Sequence, residues 1–248
     1  MRGENHMKFV LDSHTHTIAS GHAYSTILEM ARTAADKGLE LLCITDHAPG
    51  MEGTTCRDYF ANIRVIDRQL FGVQLMVGSE LNIMDTQGSV DLDKSLLRKL
   101  DLAVASLHTK CIAPGGDAEG YTHALVSAMQ NPYVNIIGHP DDGRYPLDYP
   151  TLVRAAGEYG VLLEVNNSSL TPGCFRENAP VHCAEMLRLC KQEGVPVVVG
   201  SDAHFASYVG NHQYAQALFE ELDFPEELVM NRDASAFQAF IRAHHARA

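Results

Sequence analysis

The apolar residues of this chain fall into short runs rich in Val, Ile and Leu, separated by longer stretches with helical spacing. Each short run predicts a buried strand. The runs cover residues 9–11, 41–44, 73–77, 102–107, 134–137, 161–165 and 195–200. The pattern therefore predicts about seven strands in one chain.

The stretches between these runs carry helix signals. Residues 25–38 are predicted to begin with Ser25 as N-cap and to end at Gly38. Further helices are predicted within 57–72, 149–160 and 178–194. Strands that alternate with helices predict right-handed βαβ units, and about seven of them favour a closed or nearly closed barrel. Turn-forming residues at 85–91 predict a hairpin or a bulge.

Length and composition fit one domain, since the chain has 248 residues and 46% of them are hydrophobic. Residues 1–6 are polar and are expected to be a disordered tail, a cloning remnant or the residues before an alternative start at Met7. Residues 7–248 form the predicted domain. No apolar run reaches the roughly 20 residues of a membrane span, and a signal peptide is not evident, so a cytoplasmic location without membrane binding is expected.

Charge and cysteine content narrow the function further. The formal net charge of -12 repels a polyanion, so stable nucleic-acid binding is not expected. Bound cations would still allow a small anionic substrate. The six cysteines include no C-x-x-C pair, which indicates reduced structural thiols.

Nearly every predicted strand ends in a residue type that binds metals. These residues are His14, His16, His47, Glu80, His108, His139, Asp202 and His204. The carboxyl ends of barrel strands form one face, and the i, i+2 spacing of His-x-His puts both imidazoles on one side. Because so many buried polar groups need partners, the pattern predicts a metal centre at this face.

One predicted strand and several histidines do not fit this pattern. The run 161–165 is followed by Asn166, Asn167, Ser168 and Ser169 instead of a titratable group. No site role is predicted for His6, His123, His182, His244 and His245, while His212 stays open.

Seven segments together resemble the PHP (polymerase and histidinol phosphatase) family, especially its stand-alone bacterial phosphatases of the YcdX type. They are DSHTHTIASGHAYST, ITDHAPGME, GSELNI, SLHTK, IGHPDDGRY, EVNNSS and GSDAHFASYVG. The resemblance runs from Met7 to about Arg242. It implies an α/β fold, a distorted (β/α)7 TIM-like barrel with a cluster of three metal ions, usually zinc, at the carboxyl end of the strands.

The resemblance also implies which residues hold each ion. A first ion would be held by His14, His16, Glu80 and Asp202, and a second by Glu80, His108 and His139. A third would be held by His22, His47 and His204. The imidazole-rich set favours zinc, with manganese or iron as alternatives.

These ligands predict hydrolysis of a small phosphomonoester. A zinc-bound water has a pKa of about 7, so a hydroxide that bridges two ions is the expected nucleophile. Glu80, Asp202 and His16 are the predicted catalytic residues. Arg144, Lys110, Asn166 and Ser168 are the candidate substrate-binding residues. Asp12 and Asp46 could orient ligand imidazoles or cap turns, and no general acid is evident.

Three alternatives stay open. A phosphodiesterase or nuclease of the same fold would use the same ions, and an amidohydrolase-like enzyme also has His-x-His after its first strand. A non-catalytic zinc-binding module would require every metal position to be closed by protein ligands. A homo-oligomer, such as a trimer, is suggested only by the resemblance.

Overall fold

The computed structural model describes residues 7–247 as an α/β fold whose strands are almost all parallel. The strands are β1 Leu11–Asp12, β2 Leu41–Ile44, β3 Gln69–Leu70, β4 Val73–Val77, β5 Ser79–Asn82, β6 Ala103–Ser106, β7 Ile136–Ile137, β8 Leu162–Asn166 and β9 Val197–Gly200. The helices are α1 Ile27–Asp36, α2 Arg57–Ala61, α3 Lys94–Leu97, α4 Ala118–Met129, α5 Tyr149–Tyr159, α6 Ala179–Glu193, α7 Gln213–Glu221 and α8 Ala234–His245. Each of the seven predicted runs overlaps with a strand.

The strands form two sheets. The first has the order β1-β2-β4-β3 and the second has the order β5-β6-β7-β8-β9, with β3 as the antiparallel strand. Gly78 separates β4 from β5, and a Cβ at this position would lie 2.0 Å from the carbonyl oxygen of Leu102. The close approach lets one extended segment pair first with β2 and then with β6.

The two sheets also meet at the ends of their strands. Single parallel bridges join His47 to Glu80 and Thr15 to Ala203. Further back along the chain from this second bridge, the buried amide of Asn231 links β1 to β9: its Nδ2 donates to the carbonyl oxygens of Leu11 at 3.1 Å and Val199 at 2.8 Å. Its Oδ1 accepts from the backbone N of Val199 at 2.6 Å. These side-chain bonds satisfy backbone groups that a sheet ladder would otherwise pair.

Apart from β3 and Gln74 of β4, the strands are buried on both faces, as their apolar runs predict. On one face, residues such as Leu41 and Cys43 of β2 pack with Phe237 and Ile241 of α8. On the other face, Leu42 belongs to the larger cluster that includes the buried faces of the surrounding helices. All six cysteines are free, as expected.

Two local predictions need correction. The helix predicted within 57–72 ends early, because Gln69 and Leu70 pair with β4 across a tight turn at Phe71 and Gly72, both at positive φ. The N-cap of α1 is Thr26 instead of Ser25. Thr26 exchanges hydrogen bonds with Glu29 in a capping box, which satisfies two otherwise unpaired backbone donors.

Two other predictions hold. Gly38 lies just beyond α1 with φ 75°, a conformation that glycine adopts without strain. The predicted hairpin is present, since Ile83 pairs antiparallel with Val90. Within residues 7–247, the helices lack the length and apolar character that crossing a bilayer requires.

Candidate metal centre

The carboxylate of Glu80, at the start of the second sheet, lies in the middle of the histidines predicted from the sequence. Its Oε1 is 2.9 Å from Nε2 of His139 and 3.1 Å from Nε2 of His108. Its Oε2 is 2.8 Å from Nδ1 of His47. The two oxygens of one carboxylate therefore face different imidazoles, which is the arrangement of a bridging ligand.

The His-x-His pair after β1 approaches Glu80 from another side. Nε2 of both His14 and His16 lies 3.4 Å from Oε2 of Glu80. Oδ1 of Asp202, which follows β9, is 3.4 Å from Nε2 of His16 and 3.9 Å from Nε2 of His14. The first and last strands thus bring their polar ends to the same point, as the topology predicts.

His22 and His204 lie further toward solvent. His22 is exposed, and the side chain of His204 is 30% exposed. Their Nε2 atoms are 3.1 Å apart. Nδ1 of His204 lies 3.0 Å from the carbonyl oxygen of Asp202, so a backbone acceptor fixes this ring.

Three groups of donor atoms are close enough to share an ion. Within each group the ligand atoms lie within 4.8 Å of one another. The groups are His14 with His16 and Glu80, His47 with Glu80 and His108, and His16 with His47 and His204. All nine predicted ligands are therefore members of these groups or direct neighbours of a member.

Protein acceptors occupy the second nitrogen of the two imidazoles after β1. Nδ1 of His14 lies 2.8 Å from Oε1 of Glu164, and Nδ1 of His16 lies 3.0 Å from Oγ of Ser20. Ser20 donates its own hydrogen to Oδ1 of Asp46 at 2.7 Å, so it accepts from His16. Both rings then carry their proton on Nδ1 and turn an unprotonated Nε2 toward Glu80.

His108 is fixed in the same way by a longer chain of side chains. Its Nδ1 lies 2.7 Å from Oδ1 of Asn82, whose amide donates to Oδ2 of Asp91 at 2.6 Å and to the carbonyl of Ala48 at 3.1 Å. Because the amide nitrogen of Asn82 is committed to these acceptors, its oxygen must face the His108 proton.

These tautomers make the residues fit a metal cluster. The Nε2 atoms of His14 and His16 are only 3.0 Å apart, and the rings present lone pairs to each other and to a carboxylate. A divalent cation satisfies such converging acceptors, whereas water could donate to only some of them. Imidazole donors with few carboxylates suit zinc better than magnesium or calcium.

Charge within the site agrees with this fit. Burial raises the pKa of Glu80, but the imidazoles of His108, His14 and His47 outweigh it and hold the pKa well below its ordinary value. Burial also opposes ionisation of Asp202, yet hydrogen bonding and nearby positive charge keep its pKa well below the usual range. Both carboxylates are therefore anionic donors.

The backbone is adapted to the site in three places. His139 and Asp202 have positive φ values of 31° and 54°, which are uncommon for residues with side chains. A Cβ at Gly200 would lie 2.1 Å from Oε1 of Glu164 and 2.6 Å from Cβ of His14. Only glycine at this point of β9 leaves room for the pair formed by His14 and Glu164.

Two protein-family models match the sequence of this chain. A model described as PHP domain matches residues 12–145, and a model described as PHP-associated matches residues 181–229. The first match covers more than half of the chain. The chain belongs to the PHP family.

Similar PHP proteins carry phosphatase names. The chain is 45% identical over 247 residues to a probable phosphatase of Caldanaerobacter subterraneus subsp. tengcongensis, covering 100% of this chain and 96% of that protein. It is also 45% identical over 236 residues to a probable phosphatase of Acetivibrio thermocellus, covering 95% of this chain and 96% of that protein. These matches confirm the predicted family and the predicted enzyme class, a phosphatase.

A solved structure agrees with the fold. The histidinol phosphate phosphatase of Lactococcus lactis subsp. lactis, complexed with zinc, L-histidinol and phosphate, superimposes with a TM-score of 0.60 and 19% identity. The match covers 87% of this chain and 94% of that chain.

The predicted substrate-binding residues of this PHP protein differ in their surroundings. Arg144 binds Asp142 through both carboxylate oxygens, with its Nε 2.9 Å from Oδ1 and one terminal nitrogen 2.5 Å from Oδ2. Lys110 is exposed and lies near His22. Burial, His204, His47 and Lys110 together lower the pKa of His22 to about 4.

Asn166 contacts Glu164 and the predicted ligand Asp202. Its Nδ2 donates to Oε2 of Glu164 at 3.1 Å and to Oδ2 of Asp202 at 3.3 Å. Ser168 is half-buried next to this network. The hydroxyl that takes part in it belongs to Ser169, which donates to Oδ1 of Asp141 at 2.9 Å.

Asp46 and Asp12 have different roles. Asp46 reaches His16 through Ser20, as described above. Asp12 does not orient a ligand imidazole, because its two oxygens accept from the backbone N of Ser201 at 2.9 Å and of Gly210 at 2.8 Å. It ties β1 to the segment after β9, and Glu164 takes the expected place beside His14.

The remaining histidines within residues 7–247 lie outside the cluster. His212 is buried, with Nε2 3.6 Å from Oδ1 of Asp12. His182 stacks on Tyr149 at 5.8 Å between ring centroids. His123 belongs to α4, while His244 and His245 belong to α8. The prediction for His6 falls outside the described residues.

Two site residues were missed from the sequence. Glu164 accepts from His14, from the backbone N of His139 at 2.7 Å and from Asn166. The sequence did contain a signal for Glu164, because it is a carboxylate inside an apolar strand and lies on the same face as Leu162. A carboxylate buried in this way needs a hydrogen-bonding or charged partner.

Arg176 is the second missed residue. Its side chain is only 7% exposed, and one terminal nitrogen donates to Oδ2 of Asp202 at 2.9 Å. The other donates to Oδ1 of Asn166 at 3.2 Å and to Oγ of Ser169 at 3.1 Å. An arginine in a polar loop gives no periodic signal, so its burial could not be predicted.

Proposed function

We propose that this PHP-family protein hydrolyses a small phosphomonoester with the help of up to three divalent ions, preferentially zinc. The observation that carries the proposal is the position of Glu80, whose two oxygens face two different sets of imidazoles. The zinc, L-histidinol and phosphate held by the Lactococcus relative support it.

The ligand sets follow from the contacts around Glu80. His14, His16, Glu80 and Asp202 would hold the first ion, and Glu80, His108 and His139 the second. His22, His47 and His204 would hold the third, which the short contact between His22 and His204 supports. In this assignment Glu80, Asp202 and His16 are the catalytic residues.

When bound, such ions supply Lewis acidity and an ionised water near neutral pH. The residues of the chain prepare the site for that chemistry. Glu164 and Ser20 hold the imidazoles of His14 and His16 in the tautomer that leaves Nε2 free. Arg176 binds one oxygen of Asp202 and leaves Oδ1 turned toward His16. Lys110 adds a positive charge near His22, which favours an anionic substrate.

The same proposal includes the architecture. The two parallel sheets would form one distorted (β/α)7 barrel, which the bridges between Thr15 and Ala203 and between His47 and Glu80 support. Residues 7–248 would then act as one metallohydrolase domain. Asn231 supports this arrangement because it links β1 to β9.

The test is phosphate release from an aryl phosphomonoester by protein reconstituted with zinc or manganese, beside a chelated sample. His16→Ala and Asp202→Ala should abolish metal-dependent release, while His123→Ala on the exposed face of α4 should retain it. L-histidinol phosphate belongs in the first substrate screen because the Lactococcus relative holds L-histidinol and phosphate. Protein that holds two or more ions yet releases no phosphate would contradict the proposal.

A further inference from the structure

An exposed aromatic ring lies beside the candidate metal centre. Phe175 is 68% exposed, and its ring centroid is 5.2 Å from Cζ of Arg176 and 5.0 Å from Cζ of Arg144. Arg176 in turn contacts the predicted ligand Asp202. One arginine side chain therefore separates this ring from the ligands of the first ion.

The two arginines that flank the ring are anchored. Arg176 is bound by Asp202, Asn166 and Ser169, and Arg144 is bound by both oxygens of Asp142. Contacts with two fixed guanidinium groups hold the Phe175 ring in place by cation–π attraction. The ring is thus kept at the solvent-facing edge of the site instead of packing into the core.

Other loops of the site expose aromatic rings as well. Tyr24, two residues after His22, is 75% exposed, and Phe205, directly after His204, is 49% exposed. The backbone N of Tyr24 donates to the carbonyl of His204 at 2.9 Å, so these two loops are joined. Apolar side chains are thus concentrated at the edge of a polar site, a pattern typical of ligand contact.

We propose that Phe175 is a specificity-determining residue that contacts an aromatic ring in the leaving group of the substrate. This inference rests on the proposed phosphatase function. With the phosphoryl group at the predicted metal ligands, a leaving group that extends toward solvent past Asp202 and Arg176 would meet the exposed ring of Phe175. Ring contacts of this kind favour aromatic partners.

The test compares two esters, 2-phenylethyl phosphate and ethyl phosphate. Both release a primary alcohol, so the difficulty of breaking the ester bond is similar and the ring is the main difference. We expect the wild-type protein to prefer the phenyl ester by about tenfold in kcat/KM, the size of effect that an aromatic contact gives. In Phe175→Ala this preference should fall to about twofold or less.

A matched control is available in Phe71→Ala. Phe71 is also a partly exposed phenylalanine, 43% exposed, and it stacks on Arg32 at 3.7 Å, but it lies in the turn between β3 and β4 away from the ligands. Phe71→Ala should keep the wild-type preference. Phe175→Leu, which retains apolar bulk without the ring, should lose most of it.

Several results would overturn the inference. They are a wild-type protein with no preference for the phenyl ester, a Phe175→Ala variant that keeps the preference, or one that loses activity on both esters by the same factor. A change in oligomeric mass on Phe175→Ala would assign the ring to an interface and also overturn it. Failure to hydrolyse either ester would instead count against the phosphatase proposal itself.

Discussion

The predicted metal ligands fall into two groups that are held in different ways. The outer pair consists of His22 and His204, and the inner group consists of Glu80, His14, His16, His47, His108, His139 and Asp202. The inner residues lie in or just after strands, and side chains such as Glu164, Ser20 and Asn82 fix several of their rings. The outer pair lies on loops, and His204 is fixed by a backbone carbonyl. The inner group is therefore both more buried and better fixed by hydrogen bonds from other side chains than the outer pair. This difference predicts tighter metal binding at the inner group.

The largest loss is expected when Glu80, the residue shared by the inner contacts, is replaced. Glu80→Gln removes the charge that faces five imidazoles. We expect metal affinity to fall by more than about 100-fold, which is the upper end of the loss typical for a residue that only hydrogen-bonds to a metal ligand. Metal content after dialysis, measured by mass spectrometry, checks this. Three ions retained at wild-type affinity would break the distinction between the two groups.

A smaller loss is expected for Glu164→Gln. Both oxygens of Glu164 accept hydrogen bonds from donors, and an amide would turn an NH2 group toward one of them. Metal affinity should fall about 10- to 100-fold, as for other partners of ligand imidazoles. Competition with a chromogenic chelator measures the change, and Glu193→Gln at the exposed end of α6 is the matched control. Unchanged affinity would mean that Glu164 is only a packing residue.

Replacing the outer histidine should have a more limited effect. We expect His22→Ala to lose one ion while the inner ions stay bound, because His22 has no contact with Glu80 and is exposed. The number of bound ions, measured at increasing chelator concentration, should reveal one weakly held ion in the wild-type protein. The variant should lack this weakly held ion and keep the others. Simultaneous loss of all ions would show that the two groups bind cooperatively.

The smallest effect on metal binding is expected at Asn231, which links β1 to β9 and contacts none of the predicted ligands. Asn231→Ala removes three buried hydrogen bonds that join these strands. The free energy of unfolding should fall by about 2 kcal/mol, measured by urea denaturation of the metal-free protein. Metal affinity of the folded variant should change little. A loss of metal affinity as large as that expected for Glu164→Gln would show that the link between β1 and β9 matters more to the inner group than the hydrogen bonds to its rings.

The convergence of these side chains could be predicted from the sequence because most of them follow apolar strand signals directly. His14, His108 and Asp202 each come after such a run, and parallel strands bring their carboxyl ends together. The inference needed only strand order and direction, which local patterns carry. His22 was found through the family resemblance, since it lies in a loop without periodicity.

The residues that the sequence analysis missed depend on contacts between distant segments. Glu164 meets His14 across 150 positions of the chain, and Arg176 meets Asp202 only because its loop folds inward. The turn at Phe71 and Gly72 was missed for a local reason, because phenylalanine is not a usual residue at positive φ. Glycine alone marked it, and helix formers before it favoured a continued helix.

The junction of β1 and β9 has a consequence for the order of folding. Ser13 donates to the carbonyl of Val199 across 186 positions, so this contact joins two segments that are far apart along the chain. Contacts of such separation form late, because a long segment must first lose its freedom. During synthesis, His14 and His16 therefore cannot contact Asp202 until Asp202 has left the ribosome. The proposed first metal site would then be completed at a late stage, and metal uptake by a refolding chain would report when these segments have come together.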